Sequence, residues 1–337
     1  MSSSTPLWIS EAEVVSMMDL GEAIEALEKG LLTEAHGDAA NMMKTHVAWG
    51  NGSTLHAIGA IYSKDGFAGT KTWSHTEGGA TPLLILFDSE NGSLKAIIEA
   101  FALGQMRTAS ASGVATKWLA ANDTHDFAII GTGKQAITQV ASVLAVRPIK
   151  RVRVFGRNEE RREQFAARVR EEFELEVAPA SSVADAVKGA GVITVVTRAT
   201  EPVLSAEMID RGAHVNAVGA IVASRAEIAS NVLARCSRIV VDSVAQAQKL
   251  SKELMEFIGP PDQEGWKQVM SLAEVVAGRK SRAASDDITL FKSLGMGISD
   301  LALGMQLYQK ARELGLGREL SHPQRVPPRL RAARINQ

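Results

Sequence analysis

An α/β fold, built on a doubly wound parallel sheet with a second, α+β unit beside it, is what this sequence predicts, and three observations predict it. Beyond residue 125, apolar runs without polar alternation take turns with helical patterns, as in "DFAIIG", "VRVFG", "GVITVVT", "HVNAVG" and "RIVVDS"; such runs suit strands covered on both faces. The segment "AIIGTGKQA", residues 128–136, ends one of these runs on two glycines and opens a helix. The first hundred residues read differently, with helical stretches ahead of a group of short, partly alternating strands.

Taken in order, "SEAEVVSMMDLGEAIEALEKGLLTEAHGD" repeats apolar residues at spacings of three and four, with Ser10 and Asp19 positioned to cap two helices. "TLHAIGAIY", "FAGTKTWS" and "PLLILFD" follow as strands, and Asn91-Gly92, a pair that tolerates positive φ, marks a hairpin turn. "ALGQMRTASASGVATKWLAAN" is a small-residue-rich helix that leads to the glycine turn. Helices over "KQAITQVASVLAV" and "NEERREQFAARVREEF" then separate parallel strands. The whole of "ITLFKSLGMGISDLALGMQLYQKARELGLG" reads as amphipathic helix. The basic, proline-containing tail "SHPQRVPPRLRAARINQ" reads as a loose end or an arm that wraps a partner.

A chain of 337 residues is long for one core and short for three, so two domains are expected. Its 45% apolar and 22% charged residues are ordinary for a globular protein, and a formal net charge of −1 gives no electrostatic reason to expect nucleic acid or an anionic membrane as partner. The start "MSSSTPLWIS" lacks a basic segment followed by an apolar one, and no run approaches the ~20 apolar residues of a membrane span, so the expected location is cytoplasmic. One cysteine, Cys236 in "LARCSRIVV", excludes an internal disulfide and a multi-cysteine metal site; it reads as a packing residue, and no metal is expected.

The turn itself has the order a dinucleotide requires: Gly131 ends the strand, Gly133 lets backbone approach a pyrophosphate, and Ala136 stands where helix meets strand. The helix that starts there aims free N–H groups and its positive dipole end at an anion. With a second strand at the right separation, these residues predict a Rossmann-type site for NAD(P). That second strand ends Gly156-Arg157-Asn158, with an arginine in place of the acidic residue that holds an adenosine ribose, which leans toward NADP. Glu159 offers the opposite, NAD-binding reading.

Several stretches, in consistent order from about residue 10 to 320, resemble the ornithine cyclodeaminase and mu-crystallin family: "GTKTWS", "FDSENGSLKAIIEAFALGQMRTASASGVATKWLA", "GTGKQA", "HVNAVGA" and "SDDITLFKSLGMGISDLALGMQLYQKARELGLG". The resemblance implies a homodimer in which residues 1–120, completed by 300–337, form a substrate-binding and dimerisation domain, and residues 121–299 form the Rossmann domain. It assigns Lys71, of Gly69-Thr70-Lys71, to the substrate carboxylate or imine, where a lysine with a lowered pKa supplies a proton. It assigns Arg107, of "QMRTAS", to a bidentate grip on the α-carboxylate. Lys44 of "NMMKTHV" stands where the family usually has a second arginine, and His75 is a candidate for a polar substrate side chain. The cofactor set it implies comprises Thr108, Gly131, Thr132, Gly133, Lys134, Gln135, Ala136, Arg157, Asn158, Val218 and Gly219.

One departure narrows the chemistry. Cyclodeaminases of the family carry an aspartate just past the Gly-Ala pair of "NAVGAIVASRAEI", and Ile221 stands there in this chain. An isoleucine transfers no proton. The expected activity is therefore NAD(P)H-dependent reduction of a small 2-imino carboxylate to a 2-amino acid, of the pyrroline-carboxylate or iminosuccinate kind. A lyase with recycled NAD and a non-catalytic dinucleotide-binding protein stand as alternatives.

Overall fold

In the computed structural model, which describes residues 5–331, the chain builds two sheets. The first is nine-stranded and runs, edge to edge, through Arg318–Glu319, Leu7–Ile9, Leu94–Glu99, Leu83–Asp88, Phe67–Thr76, Ser53–Tyr62 and Ala39–Asn41. Thr45–Trp49 pairs with Ser53–Tyr62, and Gly79–Ala80 with Phe67–Thr76. Pairing is antiparallel except where Leu7–Ile9 lies parallel to Leu94–Glu99. The two expected amino-terminal helices form as Glu11–Met17 and Leu20–Ala35, and Ser10 with Glu13, and Asp19 with Glu22, close full capping boxes. Gly92, at φ +74°, turns the hairpin between Leu83–Asp88 and Leu94–Glu99.

The second sheet is eight-stranded and wholly parallel, in the order Glu176–Pro179, Arg151–Phe155, Asp126–Ile130, Val192–Val195, His214–Ala217, Ile288–Lys292, Cys236–Val241, Val269–Ser271. Strand order reverses at Asp126–Ile130, so a crevice opens beyond its carboxyl end, next to Val192–Val195. This is a mixed α/β fold with a Rossmann-type sheet. Cys236 is half-buried, its thiol pushed up to about 12 by burial, and its Sγ donates to Val232 O. No helix among the described residues is long and apolar enough to cross a membrane.

One expectation is corrected. The segment read as a single helix from Ile288 onward begins as a strand, Ile288–Lys292, fully buried between two parallel neighbours. A strand covered on both faces is apolar without alternation, and that pattern is also a helix's when the run is short. Gly295, at φ +91°, breaks the chain before the helix Gly297–Leu314 starts. Of the basic tail, residues 321–331 form no helix or strand, and 332–337 lie outside the described residues.

Gly297–Leu314 packs on the inner face of the first sheet at two glycines. A Cβ at Gly297 would stand 1.8 Å from Gly59 O, and one at Gly304 would stand 2.3 Å from Leu84 Cδ2. Asn41 Oδ1 accepts from Ile298 N at 2.9 Å, and Tyr62 OH donates to Ile298 O at 3.0 Å. The start of the helix is thereby fixed over strands Ser53–Tyr62 and Phe67–Thr76. Its first turn carries Asp300.

Candidate active site

Strand Phe67–Thr76 directs Lys71 into the space under that first turn. The residue is 3% exposed, and its ammonium donates to Asp300 Oδ1 at 2.5 Å. Helix Phe101–Leu119 brings Arg107 to the same carboxylate, Nε lying 3.4 Å from Oδ1. Asp300 is fully buried, and its Oδ2 has no hydrogen-bond partner. Burial, and then the neighbouring Arg107 charge, push the Lys71 ammonium down to about 8, against the pull of Asp300. The same forces act on Lys44, in the loop ahead of Thr45–Trp49: burial first and Arg107 next hold its pKa below the usual lysine range. Lys44, Lys71 and Arg107 therefore form one cationic pocket. His75 lies further out, exposed on the strand and opposite Thr54.

Two buried carboxylates that the sequence did not single out brace this region. Asp242, just past strand Cys236–Val241, accepts through Oδ2 from Ser293 Oγ, Leu294 N and Gly295 N at 3.1, 2.7 and 2.6 Å. Burial raises its pKa. Gln246 Nε2 donates to Gly295 O at 2.8 Å, so Gly295 is held from both sides. It needs to be glycine, because a Cβ there would lie 3.0 Å from Arg107 Nη1 and its φ is +91°. Glu227 accepts from Thr197 N and Oγ1, Gly219 N and Ala220 N, tying together the loops that follow two adjacent parallel strands. Behind it Glu253 accepts from Glu227 N and from the fully buried Lys292.

The crevice of the second sheet fits a dinucleotide. Gly131 has φ +112°, and a Cβ there would lie 2.6 Å from Val196 O, whereas nothing stands within 4 Å of a Cβ built on Gly133. Helix Ala136–Leu144 starts with no side-chain cap; Ala136 N donates to Gly133 O at 3.0 Å, and the positive end of the helix dipole still faces the turn, where it favours an anion. Gln135 Oε1 is buried without a partner, and Lys134 is exposed beside the turn. Thr132 lies against Gly156, whose Cβ would meet its Oγ1 at 3.0 Å. Arg157 and Asn158 are exposed, with Asn158 Oδ1 capping the next helix by accepting from Arg161 N at 2.8 Å. Across the crevice, Val218 N donates to Val195 O, and a Cβ at Gly219 would sit 2.0 Å from Thr197 O.

One helix joins the two halves. Arg107 and Thr108 are neighbours on Phe101–Leu119, Thr108 Oγ1 donating to Gly104 O at 2.9 Å, and Ser142 Oγ of Ala136–Leu144 donates to Ala109 O at 2.5 Å. Ile221, half-buried past Gly219-Ala220, brings no titratable group to this region.

A family model for the ornithine cyclodeaminase/mu-crystallin family matches residues 6–315. The Δ1-pyrroline-2-carboxylate reductase of Bacillus cereus is 34% identical over 243 residues, 71% of this chain and 73% of that protein. Ketimine reductase mu-crystallin of Rattus norvegicus is 36% identical over 225 residues, 67% of this chain and 68% of that one. Among solved structures, Thermococcus litoralis Δ1-pyrroline-2-carboxylate reductase in complex with NADH and L-proline matches with TM-score 0.86 at 29% identity, covering 93% of this chain and 100% of the other. An archaeal alanine dehydrogenase dimer with bound NAD matches with TM-score 0.84 at 26% identity, covering 94% and 99%.

Proposed function

The chain belongs to the ornithine cyclodeaminase/mu-crystallin family, and from that premise we propose that it is an NAD(P)H-dependent oxidoreductase that reduces the C=N bond of a small 2-imino acid to give a 2-amino acid. The observation that carries this reading is the buried cationic pocket in which Lys71 and Arg107 share Asp300. Such a pocket suits a carboxylate next to a group that takes up a proton.

Gly131, Thr132, Gly133, Lys134, Gln135 and Ala136 would hold the pyrophosphate, Arg157 and Asn158 the adenosine ribose, and Thr108, Val218 and Gly219 the nicotinamide half. When bound, the nicotinamide supplies a hydride to the imine carbon. Arg107 grips the substrate carboxylate through its planar fork, with Lys44 adding a second positive charge. As the carbon gains the hydride, the π pair of C=N moves to nitrogen, and the Lys71 ammonium delivers the proton that nitrogen requires. Asp300 orients that ammonium and keeps it charged against the neighbouring arginine. The lyase alternative lacks support at Ile221, which carries no proton-transfer group.

The exposed arginine at the end of Arg151–Phe155, with no carboxylate beside it on the strand, supports NADPH as the preferred coenzyme. Residues 1–120 with 300–337 act as the substrate and dimerisation domain, and 121–299 as the coenzyme domain. The outer face of the first sheet supports a homodimer, because Val47, Trp49, Leu55 and Ile61 are 59%, 46%, 46% and 39% exposed there. The test of the activity is oxidation of NADPH and NADH, followed at 340 nm, with 2-oxo acids plus ammonia or methylamine and with preformed cyclic imines. Turnover of imine, and none of ornithine to proline and ammonia, is the expected result; coenzyme binding without turnover of any imine would overturn it.

A further inference from the structure

On the face of the first sheet that carries Lys71, side chains stand in rows across three strands. Lys71 lies opposite Ile58, Trp73 opposite His56, and His56 opposite His46. The row next to Lys71 is thus His46, His56 and Trp73, and its rings stack. His46 and His56 have centroids 5.4 Å apart at 21°, and His56 and Trp73 have centroids 4.7 Å apart at 12°. Lys71 Nζ lies 5.3 Å from the centroid of Trp73. Thr54 Oγ1 holds His56 Nε2 at 2.8 Å, while Nδ1 is buried with no partner. His46 is exposed and the other two rings are half-buried, so the row borders open space instead of belonging to the core.

We propose that this row is the subsite for the substrate's side chain and that it selects imines of aromatic 2-oxo acids. The inference rests on the reading of the neighbouring pocket as an imine reductase site. With the carboxylate on Arg107 and the nitrogen at Lys71, the side chain can leave along the sheet in two directions. Inward from Lys71 the face is closed, because the terminal helix meets the sheet there with Gly297 against Gly59. Outward, one strand repeat away at about 7 Å, stand the stacked rings. Flat, polarisable rings held in register favour another ring in offset or edge-on contact. Burial, and then the charge of Lys44, hold His56 down to about 4, so the ring at the centre of the row is neutral and offers a stacking face in place of a charge.

The test uses the full chain with saturating coenzyme. kcat/KM is measured for the methylamine imines of phenylpyruvate and pyruvate, and phenylpyruvate and pyruvate are titrated as ligands of the coenzyme complex. The expected result is a preference of roughly tenfold or more for the aryl imine, with a matching difference in binding, on the scale that a shaped apolar pocket gives. Trp73→Leu and His56→Leu, each checked for an intact circular dichroism spectrum, should flatten the ratio. Equal kcat/KM for the two imines, or a preference that survives both substitutions, would overturn the subsite and leave imine reduction standing. Binding of phenylpyruvate that both substitutions weaken, with no reduction of either imine, would support the subsite and sink the imine reading instead.

Discussion

Asp300 accepts a hydrogen bond from Lys71 at 2.5 Å across 229 residues of sequence, and both groups are buried. The ammonium is thereby poised as a donor whose pKa, lowered by burial, stands at about 8. Only its charged form can give a proton, and that form is lost as pH rises through this value. kcat/KM for imine reduction should hold steady below about pH 8 and fall roughly tenfold per unit above it, while the reverse oxidation of the amine should rise over the same range. Lys71→Met should cost about 10²–10⁴ in kcat, the usual contribution of a positioned acid. Rates measured from pH 6 to 10 check both points, and a flat profile would remove Lys71 from the proton's path.

Asp300→Asn leaves two cations facing each other without the anion between them. The Lys71 ammonium should then lose its proton more readily, and the descending limb of the pH profile should move to lower pH. Breaking a buried pair by removing one partner costs about 3–5 kcal/mol, so the thermal midpoint should fall as well. The limb is the informative readout, since destabilisation alone would lower the amount of folded enzyme without moving it.

Lys71 and Arg107, which the structure brings to one carboxylate, were picked out in the sequence through the family resemblance, and the glycine turn through a pattern confined to six residues, Gly131 to Ala136. Asp300 was not, because what makes it matter is a contact between chain ends. The available hint was a lone carboxylate in "GISDLALG", an otherwise apolar helical start. Asp242 and Glu227 escaped for a related reason: their partners are backbone N–H groups of loops whose proximity depends on the order of strands in the sheet. The strand Ile288–Lys292 was hidden by its own burial, since a run covered on both faces has no alternation to read.

Arg107→Lys tests whether shape matters beyond charge. Lysine supplies a point charge where arginine supplies a planar fork, and it leaves one arm of the carboxylate unbonded. A charged hydrogen bond of about 1.5–3 kcal/mol should be lost, which raises KM for the imino acid by roughly 10–150-fold with a smaller change in kcat. An unchanged KM in the lysine variant would show that the carboxylate binds elsewhere, with Lys44 the next position to substitute.

The proposed preference for NADPH rests on Arg157, which is exposed just past its strand. Arg157→Ala should lower kcat/KM with NADPH by about tenfold or more, the loss of one charge-assisted contact, and leave NADH nearly unaffected. Parallel kinetics with the two coenzymes measure the ratio. Equal losses for both would show that the arginine serves the fold or the shared ribose and does not discriminate between them.

The two glycines of the turn should fail in different ways when substituted. Gly131 has φ +112°, and a Cβ there would lie 2.6 Å from Val196 O, so Gly131→Ala meets backbone strain and a steric overlap at once. Strain of this kind costs of order 1–3 kcal/mol, and the thermal midpoint should drop even without coenzyme. Gly133 meets nothing within 4 Å, and its φ is not in the left-handed region. Gly133→Val should therefore leave the thermal midpoint of the free protein close to that of the parent, since surface substitutions usually shift stability by less than about 0.5 kcal/mol. Its branched side chain would nevertheless occupy the room in which the pyrophosphate meets the helix start, and the Kd for NAD(P)H should rise at least about tenfold, or 1.4 kcal/mol. Calorimetric melting separates the first effect and coenzyme titration the second. If Gly133→Val binds coenzyme as tightly as the parent, the open space above the turn serves some other purpose than holding phosphate.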